Sequence, residues 1–274
     1  MVDKYPDTFA VIEYQISNPP WSLPWGEDRA DYYGVYAIPW FQYDGLFDAW
    51  PIGSYESKFL NRQAETTDVT MEMAGKSLGG SEYQVAVRVG IEAGGAGKTL
   101  YIYTVQALDH RTTIKPYTRN SFKLAADTME ITLEPGTSTS LVHTFDLDAE
   151  SMGKPDDIRF FAWAQDPSNT GGVVEIHQGA KLLPPFDGYA DCNANGIPDA
   201  WDIADGTSED LDGDGVPDEC GCIADITGDD VVDVLDLLDV LGAWGLTGVP
   251  EDVNGDGIVD VIDLIKVLGQ WGPC

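Results

Sequence analysis

Basic residues are what this sequence has least of. It carries 15 Lys and Arg against 47 Asp and Glu, a formal charge of −32 over 274 residues. Such a chain repels phosphate instead of displacing its counterions, which excludes nucleic acid and anionic lipid as partners and points to cations. No apolar run approaches the ~20 residues needed to span a bilayer. The first 191 residues contain no cysteine, so no C-x-x-C redox pair exists there. His110, His143 and His177 are scattered, with no H-E-x-x-H pattern or neighbouring cysteine, which argues against zinc. The N-terminus, "MVDKYPDTF", lacks the basic start and apolar stretch of a secretory leader.

What is present is unevenly distributed. From Asp187 onward there are 22 acidic residues against one base, Lys266, so two-thirds of the net charge lies in the last third of the chain. Cys192, Cys220, Cys222 and Cys274 all fall in that third. An even number of cysteines confined to a core-poor segment reads as disulfides and an oxidising compartment. That conflicts with the missing leader. The expectation that reconciles them is a chain truncated at its N-terminus relative to a longer secreted precursor.

Along the chain, "AVIEYQI" (10–16) reads as a strand, Glu27–Tyr33 as a short helix, "YGVYAIPWFQYDG" (33–45) as a strand ending in a turn, and 55–63 as a helix. From Val69 the pattern changes to period-2 alternation in seven runs: "VTMEMAG", "YQVAVRVGIEA", "TLYIYTVQAL", "MEITLEPG", "SLVHTFDLDA", "IRFFAWAQD" and "VVEIHQGA". Runs of this kind separated by Gly, Pro, Asp and Ser clusters predict an antiparallel β-sandwich. "LLPPFDGYAD" (182–191) then reads as a linker.

The acidic third contains an internal duplication. Asp225–Gly245 and Asp252–Gly272 are identical at thirteen of twenty-one positions, at a period of 27 residues. Oxygen-bearing residues recur at positions 1, 3, 5, 9 and 12: Asp225, Thr227, Asp229, Asp233 and Asp236, then Asp252, Asn254, Asp256, Asp260 and Asp263. A hard cation such as Ca²⁺ takes six to eight oxygens, and an EF-hand-type loop supplies them at these positions. Position 7 offers only a backbone carbonyl, so Val231 and Ile258 are admissible there. Position 6 needs a sharp turn, which Gly257 suits and Asp230 departs from. A solvated acidic face would not repeat that spacing twice with an apolar residue, Val232 or Val259, at position 8. After each loop, "VLDLLDVLGAWG" and "VIDLIKVLGQWG" read as helices that pack together and bury Leu237, Leu241, Leu264, Leu268 and both tryptophans.

A second pair of loops lies just upstream. "DCNANGIPDAWD" puts Asp191, Asn193, Asn195, Asp199 and Asp202 at the same positions, with Ile197 at position 7. "DLDGDGVPDEC" supplies Asp210, Asp212, Asp214, Val216 and Asp218, but Gly221 stands at position 12, so this set lacks its last ligand. The bland alternative for this pair is a disordered acidic linker.

The duplicated loop–helix unit, 222–274, resembles the dockerin family, calcium-dependent modules of secreted bacterial proteins that dock onto cohesins. The resemblance implies a cohesin-like or cell-surface protein partner. In that family small hydroxyl residues at loop positions 10 and 11 read the partner. Here those positions hold Val234–Leu235 and Val261–Ile262, and burial against the protein's own chain is an equal alternative. Cys222 and Cys274 bracket the module and suit a staple joining its ends. The D-x-[DN]-x-[DN]-G-x-P-D pattern of 186–221 resembles the calcium-binding type 3 repeats of thrombospondin, with Cys192 and Cys220 at opposite ends of the pair and suited to bridge it. Residues 1–65, with Ile38–Pro39 at a position usually cis, and the sandwich at 66–185 resemble thioredoxin-like bacterial outer-membrane lipoproteins carrying a C-terminal β-domain. The segment bearing the redox cysteines of such a unit is missing.

The expected fold class is therefore multidomain and mainly β: a partial thioredoxin-like α/β unit, an antiparallel β-sandwich, a calcium-loop connector and a small α-helical dockerin-like module. The expected function is a secreted, non-catalytic calcium-binding protein with a C-terminal docking or anchoring module. Two alternatives stay open. One is an N-terminally truncated thiol–disulfide oxidoreductase of the cell envelope. The other is a carbohydrate-binding component of a polysaccharide-degrading system, drawing on Trp21, Trp25, Tyr32, Tyr33 and Trp40, for which core packing is the competing use. "EAGGAGKT" (92–99) imitates a phosphate-binding loop but joins two alternating strands, and it reads as a hairpin turn.

Overall fold

The computed structural model describes residues 4–5, 10–14, 23–35, 42–48, 55–110, 119–167, 174–211, 213–229 and 231–273. Two compact units result, 1–189 and 190–274. In the first, seven strands follow the alternating runs and β6 is added between two of them: β3 (Val69–Gly79), β4 (Glu82–Ile91), β5 (Lys98–Leu108), β6 (Ser121–Ala125), β7 (Met129–Leu133), β8 (Ser138–Asp146), β9 (Ile158–Gln165) and β10 (Ile176–Leu182). They form a three-stranded sheet in the order β3-β4-β8 and a five-stranded sheet in the order β10-β9-β5-β6, with β7 also pairing with β5. All the pairings are antiparallel. Between the sheets, Tyr83, Val85, Val87, Val89 and Ile91 of β4 meet Leu100, Ile102 and Leu108 of β5 and Ile158 and Phe160 of β9. These are the period-2 faces of the alternating runs, which is why the sandwich follows from the pattern. "EAGGAGKT" is the β4–β5 connection, and its Lys98 pairs with Asp68. The segment read as a linker packs instead on the sandwich, with Phe186 against Tyr83 and Phe160.

The outer face of the five-stranded sheet is also apolar, with Tyr103, Val105, Ala107, Phe122, Phe161 and Trp163, and so needs a cover. Helix α1 (Pro24–Tyr32) supplies it, starting at a proline suited to a first helical turn. Trp25 stacks on Phe122 with ring centroids 4.9 Å apart. Arg29 is buried with its guanidinium 4.5 Å from the Tyr103 ring centroid, and it donates to Tyr33 Oη (2.6 Å) and Gln165 Oε1 (3.0 Å). Trp25, Tyr32 and Tyr33 therefore pack around a buried cation, while Trp21, Trp40 and the Ile38–Pro39 bond lie outside the described residues. The strand expected at 10–16 reduces, over its described residues, to a single parallel bridge from Glu13 to Ser121. A two-residue pair, β1 (Gln42–Tyr43) with β2 (Phe47–Asp48), precedes α2 (Tyr55–Gln63), and a single turn of helix, α3 (Ala149–Met152), follows β8.

The second unit is small and loop-rich. Cys192 and Cys220 are disulfide-bonded, bridging the upstream loop pair as expected. Cys222 is disulfide-bonded too, and its expected partner, Cys274, lies outside the described residues. Helix α4 (Asp199–Asp205) ends at Gly206, whose φ of +70° makes the left-handed cap that glycine adopts without penalty. Short strands β11 (Val231–Val232) and β12 (Gly272–Pro273) pair with each other, and α5 (Val234–Gly242) and α6 (Val261–Gly269) carry the duplicated repeats. The repeats exchange equivalent contacts: Val232 pairs with Gly272, and Val259, its counterpart 27 residues on, bonds reciprocally with Gly245 and Leu246.

The core of this unit corrects the sequence reading. Val232, Val240, Val259 and Val267 are buried, with Leu237 and Leu264 partly so. Leu241, Leu268, Trp244 and Trp271 are about half exposed, at 47%, 51%, 49% and 50%. Each nine-residue helix buries a narrow stripe, Leu237–Val240 or Leu264–Val267, and valine-sized contacts suffice to fill a core this small. The leucine one residue later and the tryptophan beyond the helix end fall outside that stripe.

Candidate metal centre

The second repeat shows how a loop of acids is held. Asp260 caps α6, its Oδ1 accepting the Ile262 N–H at 2.8 Å. Asp263, three residues on, completes a capping box by accepting the Asp260 N–H at 2.7 Å. The other oxygen of Asp263 accepts the Asn254 N–H at 3.0 Å, which ties position 12 back to position 3. Gly257, at φ +97°, sends its N–H to Asp252 Oδ2 at 2.9 Å. The first repeat matches it: Asp233 caps α5, and Asp236 accepts from Asp233 (2.8 Å) and Thr227 (3.0 Å). Asp225 Oδ1 accepts from Gly228 (2.8 Å) and Asp229 (3.1 Å), and Asp229 Oδ1 accepts the Val231 N–H as Asp256 Oδ1 accepts that of Ile258, both at 3.1 Å. Asp230 lies outside the described residues.

The upstream loops reuse the same turn. Gly196 donates to Asp191 (3.0 Å) and Gly215 to Asp210 (3.2 Å), the contact that Gly257 makes with Asp252. Asn195 Oδ1 and Asp214 Oδ1 each accept the N–H two residues on, from Ile197 and Val216 at 2.7 Å. Position 9 accepts from position 2 in both: Cys192 to Asp199 and Leu211 to Asp218, each 3.0 Å. Asp202 draws in the Asn195 amide (2.9 Å) and Thr207 hydroxyl (2.8 Å). Asn193 reaches Glu219 at 3.2 Å. Asp212 lies outside the described residues. Where Gly221 leaves position 12 without a side chain, Lys266 Nζ stands 3.7 Å from Asp218 Oδ2.

Asp199, Asp202, Asp218, Asp236 and Asp263 are all buried, in a unit whose one base is Lys266. Burial pushes the Asp236 carboxyl up, but the N–H groups of Asp233 and Thr227 outweigh it and hold the group below its usual value, charged. Asp252 Oδ1 is shielded from solvent and accepts no hydrogen bond, while Oδ2 of the same carboxylate is held by Gly257. A buried carboxylate oxygen without a donor is costly unless a cation meets it, so this donor set fits a hard, oxygen-seeking ion. Two residues of this unit were not singled out in the sequence. Gln270 accepts from Ala224 N (3.1 Å) and donates to the Asp218 carbonyl (3.2 Å), and Lys266 faces Asp218. Their signal was a break in the duplication: the first repeat has Ala243 and Asp239 at those places.

Both helices also expose apolar side chains. Val234, Leu235, Leu238 and Leu241 of α5, and Val261, Ile262, Ile265 and Leu268 of α6, are all about half exposed, as are Trp244 and Trp271. The Val261–Ile262 pair, 51% and 47% exposed, is therefore not buried by its own chain.

No protein-family model matches the chain, and no curated protein sequence matches it. Solved structures that match part of the chain include HBP35 of Porphyromonas gingivalis, 14% identical over 60% of this chain with a TM-score of 0.49. The match covers 58% of HBP35, little more than half its length. A domain of the outer membrane lipoprotein Omp28 from the same organism is 10% identical over 43% of this chain and 89% of its own, with a TM-score of 0.33. The sporulation control protein Spo0M of Bacillus subtilis is 12% identical over 43% of this chain and 49% of its own, with a TM-score of 0.29. Among the described residues no helix is long and apolar enough to cross a membrane.

Proposed function

We propose that residues 190–274 form a calcium-dependent docking module, dockerin-like in its helical repeats and thrombospondin type 3-like in the loops before them, carried by a β-sandwich in a secreted or cell-envelope protein. The observation that carries the reading is the Asp252 carboxylate, with one oxygen held by Gly257 and the other buried without a donor, inside a ligand set repeated 27 residues apart. The ions are structural. Each brings two positive charges into loops whose carboxylates otherwise repel one another, and extracellular Ca²⁺ fills even weak sites. The Cys192–Cys220 disulfide supports an oxidising compartment. The half-exposed residues of α5 and α6 make an apolar face on a strongly acidic unit, and such a face suits a partner protein whose apolar patch is rimmed by Lys and Arg.

Calorimetric titration of the full chain with Ca²⁺ tests this. Binding of at least two ions is expected, with one lost in D252A and another in D225A. Absence of binding heat, or a stoichiometry unchanged in the D225A/D252A double variant, contradicts the reading.

A further inference from the structure

The β9–β10 hairpin of the first unit gathers three side chains that no sequence motif unites. Asp166 follows β9, Glu175 precedes β10, and His177 is the second residue of β10. Their ligand atoms all lie within 4.8 Å of one another, and His177 Nε2 is 2.8 Å from Asp166 Oδ1. The register explains the meeting. Ile176 pairs with Gln165 and Gln178 with Ala164, so His177 is the extra residue of a β-bulge, a device that re-aims a side chain out of the alternation.

The backbone under the cluster is fixed from two sides. Asp166 N donates to the Glu175 carbonyl at 3.0 Å, closing the hairpin. On the other side the turn between β1 and β2 accepts from Val174 (Gly45 carbonyl, 3.0 Å) and from Ile176 (Asp44 carbonyl, 2.8 Å). Gln165, next to Asp166, is fully buried, with its side chain tied to Arg29, Tyr33 and the Val174 carbonyl. Arg62 orients Glu175 through Nη2–Oε1 at 3.3 Å and is itself held by Asp44 at 3.1 Å.

We propose that Asp166, Glu175 and His177 bind a divalent transition-metal ion of the zinc class. One imidazole nitrogen with two carboxylates is a borderline set, which favours Zn²⁺ or its neighbours over the all-oxygen preference of Ca²⁺. An ion ~2.1 Å from each ligand needs ligand atoms roughly 4 Å apart or less, which small rotations of the part-exposed Asp166 and Glu175 side chains achieve. Before binding, His177 Nε2–H donates to Asp166 Oδ1; on binding, the imidazole takes its other neutral tautomer, with the proton on Nδ1 and the Nε2 lone pair on the metal. With Asp44 and Arg62 counted, the surroundings carry a net charge of −2 while His177 is neutral, so a dication is electrostatically matched. A fourth position is left to water.

The test uses the full chain saturated with Ca²⁺, so that the acidic loops of the other unit are already filled. Titration with Zn²⁺, and with Co²⁺ for its visible ligand-field absorption, should give one site per chain. H177Q and D166N should each weaken binding roughly tenfold or more and abolish the Co²⁺ band, with unchanged circular dichroism confirming that both fold. No Zn²⁺ binding in the Ca²⁺-saturated wild type, or binding that persists unchanged in H177Q, overturns the proposal. Because Ca²⁺ binding is read separately, failure here leaves the calcium reading standing, and the converse.

Discussion

Asp263 carries two roles at one position: third residue of a helix, and last oxygen of a loop. Its two oxygens take the N–H groups of Asp260 and Asn254, which fixes both the start of α6 and the fold of the loop. D263A should therefore act in two media. With chelator present it should cost about 1 kcal/mol, the ordinary value of a helix cap, and with Ca²⁺ present it should cost more, because a ligand is lost as well. Chemical denaturation of the second unit with and without Ca²⁺ measures the difference, and an equal loss in both would remove Asp263 from the ligand set. Asp109 illustrates the opposite case, an acid with a protein cation. Burial pushes its carboxyl up, but Arg119, bonded at 2.6 and 3.1 Å, and the His110 N–H outweigh that and hold it below the usual carboxylate range. As pH falls below about 4 the unfolded chain takes up this proton first, so the stabilisation is present above that pH and is lost as pH drops toward the lower folded value. D109N, which takes the carboxylate away from Arg119, should lower the stability of the first unit at pH 7 by roughly 2–3 kcal/mol and flatten its acid-side decline. A denaturation series from pH 7 to below 4 checks both.

At the scale of elements, alternation made seven strands of the sandwich readable, because a half-buried strand leaves every second residue apolar. β6 escaped because it is only five residues long, with Phe122, Leu124 and Ala125 as its apolar positions, too short a run to show an alternation of its own. The strand expected at 10–16 has the right residues but, over those described, finds only the Glu13–Ser121 bridge, a matter of tertiary competition that no local pattern records. The turns of the acidic loops, with Gly196, Gly215 and Gly257 each donating to the acid five residues earlier, were readable because their spacing is itself local. The inward stripe of α5 and α6 was not, since either Leu237–Val240 or Leu237–Leu241 satisfies helical periodicity. The Asp166–Glu175–His177 cluster was invisible because it depends on a bulge. Gly45 shows how tightly that region is built: at φ +71°, a Cβ there would lie 1.6 Å from the Val174 carbonyl oxygen. G45A should destabilise the first unit by about 2 kcal/mol or more, read as a lowered melting transition for that unit alone.

For the whole molecule, the distribution of charge is the governing fact. A chain at −32 keeps most of that charge in a unit with a single lysine, and the core available there consists mainly of valines. Burying five aspartates beside so small a core is hard to reconcile with stability unless cations offset them. The sandwich has the opposite balance, with an extensive apolar interior and acids such as Asp109 and Asp68 matched by Arg119 and Lys98. The two units should therefore respond to Ca²⁺ differently. Differential scanning calorimetry of the full chain, once with excess Ca²⁺ and once with chelator, tests that most directly. The account predicts that chelation lowers or abolishes the transition of residues 190–274 while that of the sandwich stays in place. Superimposable traces in the two conditions would contradict it.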